Sequence, residues 1–121
     1  MVNNKPKYTL FNNASYALDG FVHAFKNETS FKLELLIALI VFPAIYFMPF
    51  EFMYKLVLFV TYFMIMIAEL LNSAVENVVD LVTTDIHPLA KSAKDIGATA
   101  VLFTVVLHIC CWLFIGLHTF L

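Results

Sequence analysis

The chain has 121 residues, of which 62% are hydrophobic and only 13% charged, with a mean hydropathy of +0.88. Such a composition excludes an ordinary water-soluble domain and indicates an integral membrane protein. The net charge of -2, with every basic residue a lysine, adds little, and no nucleic-acid partner is expected.

The N-terminal stretch YTLFNNASYALDGFVHAFKN (8–27) sets Tyr8, Phe11, Leu18, Phe21, Val22 and Phe25 at helical spacing. Asn12, Asn13, Asp19, His23 and Lys26 fall largely elsewhere on the same wheel. The pattern predicts an amphipathic helix over about residues 6–27, lying in the membrane interface as an anchor or as the roof of a cytoplasmic-surface site. No cleavable signal is expected, because the first apolar run begins only after residue 30. In NETSF (27–31), Asn27 or Thr29 is placed to cap the next helix, and Glu28 suits the positive end of its dipole. Glu34, one turn further into an apolar run, has no such explanation.

Three spans are predicted, over about 30–50, 52–82 and 91–120. Helices are required, since three segments cannot close a barrel. Pro43 and Pro49 should kink the first span or end it early. Three spans make a thin protomer, so a homo-oligomer is expected to give polar side chains a protein interior to face. Lys5, Lys7, Lys26 and Lys32 precede the first span and Lys91 and Lys94 the third, while Lys55 alone lies near the first connection. The lysine bias places the N-terminus and the second connection in the cytoplasm.

The second span carries the chemistry. Phe52 to Val82 is a run without Gly or Pro, roughly 46 Å as one helix at ~1.5 Å per residue, against a hydrocarbon core of ~30 Å. Glu69 falls about 25 Å along it, near the inner edge of the core, with Glu76 and Asp80 further into the headgroups. At about 100° per residue, Asn72, Ser73, Glu76 and Asp80 lie at roughly -60°, +40°, -20° and +20° relative to Glu69, all on one face. Asp80 reads as the solvated end of an overlong helix, whereas Glu69, preceded by apolar residues, reads as functional.

The connection VTTDIHPLA holds Asp85, His87 and Pro88, and KSAKDIGATA opens the third span with Lys91, Lys94 and Asp95. Small residues Gly97, Ala98 and Ala100 permit close helix approach. His108 and His118 read as packed or interfacial, and the adjacent Cys110 and Cys111 as apolar filling. Carboxylates at one depth suit Mg²⁺ sharing its positions with substrate phosphates, and a nearby lysine suits phosphate oxygens. Together they fit phosphoryl transfer. Neither a GxxxxGK[ST] loop nor a protein-kinase signature is present.

Three segments carry a family likeness: NETSFKLE (27–34), ELLNSAVENVVD (69–80) and HPLAKSAKDIGATAVL (87–102). In them the chain resembles the small bacterial integral-membrane lipid kinases, the prokaryotic diacylglycerol kinase family, which includes undecaprenol kinases. The resemblance implies an all-α membrane protein forming a homotrimeric helical bundle, each subunit an N-terminal surface helix plus three transmembrane helices. Active sites would be shared between neighbours at the cytoplasmic face of the inner membrane. It implies ATP and Mg²⁺, or a similar divalent cation, as cofactors and a membrane lipid, diacylglycerol, as acceptor.

The resemblance also implies roles. Glu69 would be the general base, supported by Asn72, and Glu28 and Glu76 the metal ligands. Lys94 and Asp95 would meet the nucleotide, with Tyr16, Asp85 and His87 as weaker contacts on that side. Glu34, Glu69 and Ala98 would face the lipid. Two departures stand out. YTLF (8–11) lacks the basic residue that proteobacterial members often carry near the start of the surface helix, leaving Lys7 as the nearest substitute. Pro88 and Lys91 look more like undecaprenol kinases, whereas Glu34 looks more like the diacylglycerol enzymes. The main rivals outside the family are a small proton- or cation-coupled transporter subunit and an accessory subunit of a larger complex.

Overall fold

The computed structural model describes residues 9–121. Lys5, Lys7, Tyr8 and the expected helix start near residue 6 lie outside them. Among the described residues four helices follow one another: α1 (Leu10–Asn27), α2 (Thr29–Phe47), α3 (Phe52–Val82) and α4 (Pro88–Phe120). The last three are long and apolar enough to cross a membrane. This is the all-helical membrane architecture that the hydropathy pattern requires.

Each helix end has a local cause. Thr9 caps α1, its hydroxyl accepting from the Asn12 N–H at 3.0 Å. The expected cap of α2 is corrected by the structure: Glu28 holds the N-cap position without a side-chain cap bond, and Asn27 turns its amide back to the His23 carbonyl at 2.9 Å. The Glu28 carboxylate is therefore left for other work. Pro43 sits inside α2, which ends at Phe47 because Met48, the residue before Pro49, takes the extended conformation favoured there. α4 starts at Pro88, three residues before the expected boundary, because proline suits the first helical position, where no N–H is needed. His87 completes that start, its Nδ1 accepting from the Leu89 N–H at 3.1 Å.

α3 is the central element. It packs chiefly against α4 and, less extensively, against α2, while α1 packs against α2. Its buried residues, Leu58, Thr61, Tyr62, Ile65, Met66, Glu69, Asn72 and Ser73, form one stripe at three- and four-residue spacing. The stripe is apolar toward the Phe52 end and polar from Glu69 onward. On α1, by contrast, Leu10, Phe11, Leu18, Phe21, Val22 and Phe25 stay exposed, an apolar face suited to a membrane surface.

At Gly97 the α4 backbone lies directly against the Asn72 side chain of α3. A Cβ there would collide with the Asn72 amide oxygen and stand 3.2 Å from its Cγ. Ala98 and Ala100 remain exposed. Cys110 and Cys111 are unpaired and half-buried.

Candidate active site

The polar half of the α3 stripe opens into a cleft of about 470 Å³ lined by the α1–α2 junction, α3 and α4. Asn27, Glu28, Thr29 and Ser30 come from the junction; Glu69, Asn72 and Glu76 from α3; Ala98 and Val101 from α4. The spacing of 69, 72 and 76 keeps the three α3 side chains on one face, and the small side chain at Ala98 leaves room opposite them.

Burial is uneven within the cleft. Glu69 and Asn72 are each only 8% exposed, and Glu76, one turn beyond Asn72, is half-buried. Asn72 Nδ2 donates to Glu76 Oε1 at 3.4 Å, the long end of a hydrogen bond, while Asn72 Oδ1 is buried without a partner. One Glu34 carboxylate oxygen is likewise buried and unpartnered. A buried acceptor without a donor forfeits its hydration, so these oxygens mark a place where a ligand group would be welcome.

The structure gathers five of the proposed residues, Glu28, Glu69, Asn72, Glu76 and Ala98, around this cleft. The others lie apart. Asp85, His87 and Lys94 line a second groove of about 330 Å³ beside the α3–α4 connection, with Asp80 and Lys91. Lys94 shares a helix face with Ala98 one turn nearer the connection, but its Nζ pairs with Asp80 Oδ1 at 2.7 Å. Asp95 points round the helix to Lys91. Within one protomer, then, neither Lys94 nor Asp95 lines the acidic cleft: Lys94 is held by Asp80, although it stays within electrostatic reach of Glu76, and the Asp95 carboxylate is held by Lys91. Tyr16, half-buried on α1, and Glu34, inside α2, are not among the cleft's lining residues, although Glu34 lies within electrostatic reach of Glu69.

Ser30 and Asn27 were not legible as site residues. Ser30 places its hydroxyl beside the Glu69 carboxylate, and Asn27 joins the rim. Their one sequence signal is that they flank Glu28. Glu28 also lines a neighbouring cleft of about 490 Å³ beneath α1, with His23, Ser73 and Asn77. The surface helix thus covers one side of the acidic region, as a roof would.

No group of three or more His, Cys, Asp or Glu side chains among the described residues is close enough to cage a metal. A complete protein cage suits Ca²⁺ or Zn²⁺ better than Mg²⁺, which takes one or two carboxylates and leaves its other positions to water and phosphate. Glu28 and Glu76 in one cleft, beside the unpartnered Asn72 oxygen, fit that sparse donor set.

Comparison with known proteins gives the family. The family described as prokaryotic diacylglycerol kinase matches residues 15–116. The diacylglycerol kinase of Haemophilus influenzae is 42% identical over 93 residues, covering 76% of this chain and 78% of that protein. That of Pseudomonas aeruginosa is 34% identical over 91 residues, 75% of this chain and 74% of the relative. That of Escherichia coli K12 is 31% identical over 113 residues, 93% of both chains. The matched segment runs from the surface helix to the last turns of α4 and contains every residue of the acidic cleft, so this chain belongs to the prokaryotic diacylglycerol kinase family.

Proposed function

We propose that the protein transfers the γ-phosphoryl group of ATP to the hydroxyl of diacylglycerol, forming phosphatidate and ADP, at the cytoplasmic face of the inner membrane. The observation that carries this reading is a nearly buried Glu69 on a membrane-spanning helix, in the same cleft as the more exposed Glu28 and Glu76. A lipid hydroxyl arrives from the hydrocarbon edge and a nucleotide from water. The α3 helix offers one carboxylate at each depth.

In this mechanism Glu69 accepts the proton of the lipid hydroxyl as its oxygen bonds to the γ-phosphorus and the bond to the β–γ bridging oxygen breaks. Ser30 and Asn72 orient the carboxylate and the reacting oxygen. Glu28 and Glu76 would hold a divalent cation, which when bound neutralises charge on the nucleotide phosphates. Lys94 and Asp95 serve the nucleotide, with Tyr16, Asp85 and His87 as outer contacts, while Glu34 and Ala98 border the lipid. Because no lysine lines the acidic cleft among the described residues, a homotrimer in which a neighbour brings cationic groups to each site is the assembly we favour. The exposed apolar faces of α2 and α4 leave room for such packing.

The lysines support the orientation. Lys26, Lys32, Lys91 and Lys94 lie at the end of the bundle that holds the acidic cleft, and Lys55 lies at the other. The deciding experiment measures phosphate transfer from Mg-ATP in mixed micelles containing diacylglycerol or undecaprenol, with Glu69→Gln in parallel. Preference for diacylglycerol, abolished by the substitution, is the expected result. Preference for undecaprenol would keep the chemistry and change the acceptor, as Pro88 and Lys91 would suit. Transfer to neither would return the protein to the transporter reading.

A further inference from the structure

A second polar group is buried in the spans, and the phosphoryl-transfer chemistry does not use it. Trp112 Nε1 donates to His108 Nε2 at 3.0 Å, so that nitrogen carries no proton and the imidazole is the Nδ1–H tautomer. Nδ1 lies 2.8 Å from Thr61 Oγ1 and donates to it, and the Thr61 hydroxyl in turn donates a hydrogen bond to the Val57 carbonyl at 2.9 Å. Every proton has a place. The histidine is locked in one tautomer and one ring plane.

That plane supports Tyr62. The His108 and Tyr62 rings meet edge to face with centroids 5.4 Å apart, and Phe42 of α2 closes the other side at 5.3 Å. Tyr62 is 4% exposed, and its hydroxyl donates to the backbone carbonyl of Glu34 in α2. In a helix that carbonyl already serves the chain four residues on, so the tyrosine adds a bond between helices rather than filling a vacancy. The contacts run from Trp112 and His108 on α4, through Thr61 and Tyr62 on α3, to the turn of α2 that holds Glu34 and its unpartnered buried carboxylate oxygen.

We propose that Tyr62, braced by His108, is a positioning residue for the lipid acceptor: it fixes the height and rotation of the Glu34 turn against the α3 face bearing Glu69. The inference rests on the lipid-kinase reading of the site. Tyr62 stands two turns from Glu69 on the same helix face, roughly 10 Å toward the membrane interior, so it acts on acceptor placement and not on the nucleotide. Losing its hydroxyl removes one interhelical hydrogen bond while the ring still fills the core.

The test compares wild type, Tyr62→Phe and His108→Ala in two measurements: steady-state transfer to diacylglycerol, and modification of Glu34 by an apolar carbodiimide, mapped by mass spectrometry. In Tyr62→Phe the KM for diacylglycerol should rise about fivefold, the effect of one net hydrogen bond, with kcat and the KM for Mg-ATP within about twofold. Labelling at Glu34 should quicken in both variants. Unchanged lipid KM and unchanged labelling would overturn the proposal, as would a parallel loss of lipid affinity, ATP affinity and thermal midpoint, which marks a merely structural role. If wild type transfers no phosphate to diacylglycerol, the kinase reading fails, and the Glu34 labelling rates alone decide whether Tyr62 positions that turn.

Discussion

α3 buries polar side chains at two heights, and the two groups obey opposite rules. Around Thr61, each hydroxyl and ring nitrogen has its partner, drawn from α3 itself and from His108 and Trp112 on α4. Around Glu69, the Asn72 oxygen has no partner, and the Asn72–Glu76 bond is long. In a membrane a satisfied network holds helices in register, whereas unmet acceptors lose stability and are retained where something binds. The closed group has the character of a fastening and the open one that of the proposed site.

The sharpest way to break this contrast is at Glu69. Glu69→Gln keeps shape and removes the proposed base, and turnover should fall by at least about 10²-fold while nucleotide binding and assembly persist, read by transfer assays and nucleotide-binding titration. Glu76→Gln should slow turnover and raise the half-saturating magnesium concentration by about tenfold or more, measured by magnesium titration of the rate. An unchanged magnesium requirement would remove Glu76 from the metal.

Gly97→Ala acts on the frame of the open group. The new methyl meets the Asn72 side chain, so α3 and α4 must part or the amide must turn. A stability loss of about 1–3 kcal/mol, with reduced turnover, is expected from unfolding in detergent and from the transfer assay. Asp80→Asn should do least to stability, leaving the unfolding midpoint in detergent close to wild type, because the Asp80–Lys94 pair is partly exposed, with side chains 55% and 41% accessible. Its interest is functional: freeing Lys94 should leave turnover intact or lower the KM for ATP if that lysine serves phosphate oxygens.

Much of this was legible in the chain. The Gly- and Pro-free run from Phe52 to Val82 read as one long helix, and its angular spacing put Glu69, Asn72 and Glu76 on one face, where they lie. Helix periodicity is a local property, fixed by backbone geometry. Lys94 and Asp95 were equally visible as residue types, but a long flexible side chain goes to whichever opposite charge is nearest, and that depends on how α4 meets α3. Glu28 illustrates the same limit: its spacing alone offered a role at a helix dipole, and only the resemblance pointed to a metal, while the structure keeps it at the start of α2 and among the residues lining the cleft. His108 reads alone as packing, since its partners Thr61 and Trp112 are brought to it by two different distances along the chain.

By itself, then, the sequence determined the membrane character, the helical spans, the shared face of the α3 acids and the family. These follow from transfer of apolar side chains out of water and from a fixed rotation per residue, both of which act within a single helix. Only the tertiary structure decided which acids share a cleft, which cations are already engaged, and that Tyr62 ties the Glu34 turn to α3. Those outcomes depend on contacts between helices, where a difference of one side chain's reach selects the partner.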